Sequence, residues 1–185
     1  MDLSQWLVYC HDDTASRLKG QVLALVPPGR QHERPGGGSP IVWNTFHLAR
    51  HAALALAVLA PGLAPPTPPW LAELAPVATA AAGLEETPAP WSGQLDVAAV
   101  DHYLGTVLAA VRGFLAEPGP EADAVPDVPA GLTRAGLGPD EVSWLRRAWT
   151  GQPAAWLIRW PLTGHIGNHV GEMLATRNRM GLSPF

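Results

Sequence analysis

The sequence predicts an all-α protein: a four-helix bundle with a long crossover connection and one extra short helix before the last helix. Three observations predict it. Four stretches carry apolar residues at three- and four-residue spacing, no window alternates with a period of two, and Pro/Gly-rich segments fall between the helical stretches. The 185 residues include 20 Pro and 19 Gly, a share just under that of low-complexity chains. With 47% hydrophobic and 15% charged residues, the chain can bury a core and is not disordered throughout. Its length fits a single domain over 1–185.

The first helical stretch runs from about Leu3 to Val26, with Trp6, Tyr9, Cys10, Leu18, Val22 and Leu25 recurring at helical spacing, and stops at Pro27-Pro28-Gly29. The second follows Ser39-Pro40, where Ser suits a cap and Pro a first turn, and ends near Ala60 before Pro61-Gly62. Residues 61 to 93 hold eight prolines, so they read as a long irregular crossover with a short helix around Trp70 to Leu74. The third helix starts near a capping Asp96 and carries Val97, Val100, Leu104, Val107, Leu108, Val111 and Leu115 before Pro118-Gly119-Pro120. Residues 119 to 138 read as another Pro/Gly-rich connection. A short helix is expected after Pro139-Asp140-Glu141, with an acidic first turn, reaching about Trp149. The last helix is expected from about Thr163 to Met180, with Arg177 and Arg179 in its final turn and Gly181 as its stop.

Several function classes are disfavoured. A formal charge of -4 lacks the basic excess that phosphate-backbone binding needs. One cysteine, Cys10, excludes an intrachain disulfide framework and multi-cysteine metal sites. The first residues, with Asp2, Asp12 and Asp13, lack the basic and apolar regions of a secretory signal, so the chain is expected in the cytosol. The longest apolar run, Ala52 to Ala60, is far short of the roughly 20 residues of a membrane span. Lys19 is followed by Gly20, which removes a P-loop reading, and neither G-x-S-x-G nor H-E-x-x-H occurs. Gly36-Gly37-Gly38 lies between Pro35 and Ser39-Pro40, a turn context.

Seven histidines stand against that one cysteine. On the last helix His165, His169 and Glu172 fall within about 60° of one another, so they share a stripe. The i,i+4 spacing separates the two imidazoles by about 6 Å along the axis, close enough for both to reach one divalent metal. Glu172, one turn on, can orient a histidine, complete the metal's shell or take a proton from bound water. The plainer reading of the stripe is a set of polar contacts inside a bundle. The second helix adds His47 and His51, also at i,i+4, with Asn44 on nearly the same face and Leu54 and Val58 extending it toward the core. Imidazoles on a core-facing stripe need partners. One histidine of helix two joined to the pair on the last helix gives three nitrogen ligands and an open position, the pattern of catalytic sites. Only one of His47 and His51 is needed.

The other candidates point elsewhere. His11 and His32, beside charged or loop residues, are expected to be solvated or capping groups. His102, next to Asp101, is expected to form a surface pair. Cys10 reads as a small core residue, since nothing basic nearby in sequence activates its thiol. Trp43, one turn before His47, can border a pocket.

Two motifs carry a family resemblance. Ser39-Pro40-Ile41-Val42-Trp43-Asn44-Thr45-Phe46-His47-Leu48-Ala49 is similar to the S-x-x-W-x-x-x-H-L-A start of helix two in the DinB-like (DinB/YfiT) superfamily of metal-dependent enzymes. His165-Ile166-Gly167-Asn168-His169-Val170-Gly171-Glu172 is similar to its H-x-x-x-H-x-G-[EQ] motif, followed by Arg177 and Met180-Gly181-Leu182. The resemblance implies a cytosolic, often dimeric four-helix bundle with a crossover. It implies a divalent metal, Zn or Ni, held by His47, His165 and His169, with His51 as a neighbour; beside these, Glu172 is the candidate for handling protons or orienting a ligand. It implies hydrolase or low-molecular-weight-thiol transferase activity on a small-molecule substrate, with a non-catalytic metal-binding or stress-response module as the alternative. The resemblance is silent from about 119 to 160.

Overall fold

A computed structural model describes residues 1–74, 81–85, 87–117 and 121–184. Those residues are all-helical, with no strand among them, as the absence of period-two patterning predicts. Helix α1 spans Leu3–Arg17, opened by a capping box in which Asp2 accepts from the Gln5 amide and the Gln5 side chain accepts from the Asp2 amide. The chain continues through a widened π turn, Leu18–Leu23, that buries Leu18 and Val22. Helix α2 spans Ile41–Leu59. The N-cap position belongs to Pro40, and no side chain caps this end; the expected Ser39 cap is not formed. Helix α3 is a single turn, Leu71–Leu74. After a 3-10 turn at Pro90–Gln94, helix α4 covers Val97–Ala116 with Asp96 accepting from the Ala99 amide, the cap its sequence predicts.

Two helices lie where none is expected. Helix α5, Val128–Arg134, occupies a stretch that reads as a connection; Asp127 caps it and Pro129 sits in its first turn. Helix α6, Ser143–Trp149, matches the expected short helix, but its first turn contains no acid. Val142 precedes it at φ 47°, and Glu141 accepts from the Gly138 amide instead. Helix α7, Ala154–Arg159, then leads through a π turn, Trp160–Gly164, into helix α8, His165–Arg179. Pro161 lies inside this continuous helical run, and its missing N–H explains the widened turn. The last helix therefore begins at His165, not Thr163, with the π turn directly before the first site histidine.

Helices α1, α4, α2 and α8 form a closed cycle of neighbours: α1 packs on α4 and α8, and α2 packs on α4 and α8. The segment α5 to α7 covers a further side of α2. The crossover covers another. Trp70 and Trp91 pack against Phe46 with ring centroids 5.6 and 6.1 Å away, while buried Arg50 donates to the Ala82 carbonyl, to Thr67 Oγ1 and to the Tyr103 hydroxyl. Enclosed in this way, every residue from Ile41 to Val58 is buried, so α2 faces protein on all sides instead of along one stripe, and its polar residues are enclosed with the apolar ones. None of the described helices is long and apolar enough to cross a membrane.

Candidate metal centre

Burial of the whole of α2 places His47 and His51 inside the protein, 5% and 4% exposed. Across from them, α8 turns His165 inward and leaves His169 half-covered at the rim. His47, His165 and His169 each offer one ligand atom, and these atoms lie within 4.8 Å of one another. The ring centroids of His47 are 5.1 Å from His165 and 4.8 Å from His169, and those of His165 and His169 are 4.5 Å apart. The three residues named from the sequence are therefore brought together.

Hydrogen bonds set the ring tautomers of two of them. His47 donates from Nδ1 to the Gly83 carbonyl at 2.9 Å, which leaves Nε2 with a free lone pair. Gly83 has φ +82°, and a Cβ there would stand 2.5 Å from Phe46 Cε1, so only glycine brings this carbonyl so close to α2. His169 donates from Nδ1 to Glu172 Oε2 at 2.9 Å, and the Asn44 amide reaches the same oxygen at 3.4 Å. Glu172 thus stands behind a histidine, the orienting role among those its spacing allows. His165 and His169 approach through their Nε2 atoms at 3.1 Å. Nitrogens about 2.0–2.1 Å from a tetrahedral zinc lie about 3.4 Å from each other, so this pair is already at ligand spacing, with the His47 ligand atom within 4.8 Å of both.

The electrostatics favour neutral rings. Burial, with help from the neighbouring His169, lowers the His47 pKa to about 4. Burial and the nearby His169 and His47 lower that of His165 to about 3. His51, fully enclosed beside the same rings, is held well below the usual histidine value, again chiefly by burial. Neutral imidazoles with outward lone pairs are what a divalent cation requires. The donor set fits such an ion.

One side of the cluster opens to a cavity of about 340 Å³ lined by Trp43, Asn44, His47, His169, Glu172 and Arg179. Trp43 borders it as expected and stacks on His47 with centroids 6.0 Å apart. Gly83 and Arg179 were not singled out for the site by sequence. Gly83 lies 36 residues from His47 with no motif around it, whereas Arg179 lies seven residues after Glu172, a helical spacing that signals a shared face.

The histidines away from the cluster divide. His11 is not solvated as expected: it is buried, donates from Nε2 to the Leu108 carbonyl at 3.1 Å, and burial lowers its pKa. His32 is half-buried, with Nδ1 enclosed and lacking a partner, and so is not a solvated group either. His102 and Asp101 are exposed, as expected of a surface pair. Cys10 is only half-buried on α1. Comparison of the chain with models of known families, with curated proteins and with solved structures gives no match.

Proposed function

We propose that this chain is a metal-dependent enzyme of the DinB-like kind, in which His47, His165 and His169 hold one divalent ion, zinc or nickel. The observation that carries the reading is the convergence of three imidazoles from two helices beside an open cavity. A divalent ion held there would lower the pKa of a bound water or low-molecular-weight thiol, making a nucleophile near neutral pH.

The chain's own residues do the rest. Gly83 and Glu172 fix the rings of His47 and His169. Asn44 steadies Glu172, whose exposed carboxylate, 58% accessible, can also take a proton from a substrate group in the cavity. Trp43 supplies an apolar wall, and Arg179 at the cavity edge suits a substrate with a negative or strongly polar group. A structural metal site would be closed by a fourth protein ligand; the cavity on the His169 side favours catalysis over the non-catalytic binding module.

Hydrolysis and thiol transfer use the same three ligands, and a direct assay separates them. The metal-loaded protein is incubated with a panel of thiols plus electrophiles and, separately, with esters and amides. Turnover in one panel, abolished by His169→Ala, assigns the reaction. Absence of turnover in both, with metal bound, favours the binding module. The cytosolic, dimeric character implied by the resemblance belongs to the same proposal.

A further inference from the structure

A histidine that ligates through Nε2 carries its proton on Nδ1 and rests that proton on a partner. His47 does so on Gly83 and His169 on Glu172. His165 does not. Its Nε2 meets His169, while its Nδ1 is buried and has no hydrogen-bond partner. One other nitrogen beside it is in the same condition, Nε2 of His51. The His51 ring centroid lies 4.5 Å from that of His165, with the planes inclined by 39°.

The remaining aromatic neighbours cannot serve. Trp144 and Trp149 lie 6.0 and 6.4 Å from His51, and Trp160 lies 5.8 Å from His165. An indole has an N–H donor and no acceptor. Two enclosed, unsatisfied ring nitrogens on touching rings are rare in folded proteins, and each orphan is costly. Pairing them satisfies both. His51 also stands outside the set of three whose ligand atoms converge, so it is not a spare ligand.

We propose that His51 is a positioning residue: its bare Nε2 accepts the Nδ1–H of His165, directly after a small ring rotation or through one enclosed water, and fixes His165 in the tautomer that presents Nε2 to a cation. The consequence for metal affinity rests on the metal-binding reading above; the pairing itself is a property of the chain. With a cation on His165 Nε2 the polarity is defined. His165 donates, so the proton of His51 must sit on its own Nδ1.

Nitrogen-15 NMR of the imidazoles tests this in the zinc-loaded wild-type protein. The expected result is a protonated Nδ1 on both His165 and His51, with His51 Nε2 bare; a proton on His51 Nε2 overturns the proposal. Two variants add a second readout, zinc affinity measured by competition with a chromophoric chelator. His51→Leu should bind zinc about 10–100-fold more weakly, and His51→Gln, whose amide oxygen can replace the acceptor, should recover most of that loss. A Leu variant that binds like wild type, or a Gln variant no better than Leu, overturns it; if Leu does not fold, the wild-type spectrum decides. A wild-type chain that takes up no zinc refutes the metal reading instead. In that event the metal-free spectrum is decisive: one nitrogen protonated and the other bare supports the pairing, and two nitrogens in the same state overturn it.

Discussion

The two helices that build the cluster follow opposite plans. Helix α2 is buried on every side from Ile41 to Val58, so its histidines are held by packing and by a carbonyl from the crossover. Helix α8 buries only part of its circumference, chiefly His165, Ile166, Val170, Met173, Thr176 and Arg177, and carries His169 and Glu172 toward water. It also follows a π turn at Pro161, a feature that often marks functional positions. The difference teaches that one wall of the site is fixed by packing while the other borders the open cavity. Any closing movement onto a cation falls to α8.

The largest expected contrast is between ligands on the two walls. His169→Ala should weaken metal retention by more than about 100-fold and leave helicity and unfolding midpoint nearly unchanged. His47→Ala should lose the metal as well and also cost about 2 kcal/mol or more of stability, because it opens a cavity and orphans the Gly83 carbonyl. Equal stability losses in chemical denaturation would erase the distinction.

Glycines sharpen it further. Gly83→Ala should destabilise by about 3 kcal/mol, since its Cβ meets Phe46 and its φ is +82°. Gly171→Ala, on the open face of α8 with nothing within 4 Å of the added carbon, should stabilise by about 0.5–1 kcal/mol. Denaturant midpoints of both variants check this directly.

Acid acts on the buried rings of both walls and of α1. His47 and His165, lowered to about 4 and about 3, and His11 and His51, lowered in the same direction, stay neutral in the folded chain while the unfolded chain protonates near pH 6.5. Between these values the unfolded state binds more protons, so stability rises with pH up to about 6.5 and falls as pH drops below it. Chelated protein should lose on the order of a few kcal/mol between pH 7 and pH 4, read as a falling thermal midpoint by circular dichroism. A flat profile would contradict the burial of these rings. The smallest effect belongs to the open wall: Glu172→Gln should weaken zinc binding about tenfold with no change in stability, measured by chelator competition.

Much of this was legible because long helices write their faces into the sequence. The spacing of His165, His169 and Glu172 defined one stripe, and His47, His51, Leu54 and Val58 defined a core-facing stripe on α2, although the burial of that helix on every side went beyond it. Helices α5 and α7 were not legible: each has fewer than two full turns of pattern, and Pro129 and Pro153 at their starts read as breakers. The Asp127 cap was the available signal. The burial of His11 runs against its charged neighbours in sequence and follows instead from Leu7, Ala15, Leu18 and Val22 on its helical face. The Gly83 carbonyl on His47 and the packing of His51 against His165 join distant segments, and no local pattern encodes them. Residues 75–80 and 86 of the expected connection, and the expected helix stop at 118–120, lie outside the described residues.

The central claim is that three histidines from α2 and α8 hold one divalent ion. Elemental analysis of untagged protein, purified without a nickel column or chelator, tests it most directly. About one zinc or nickel per chain, lost in His169→Ala, is the predicted result; wild-type protein with no stoichiometric divalent metal would contradict it.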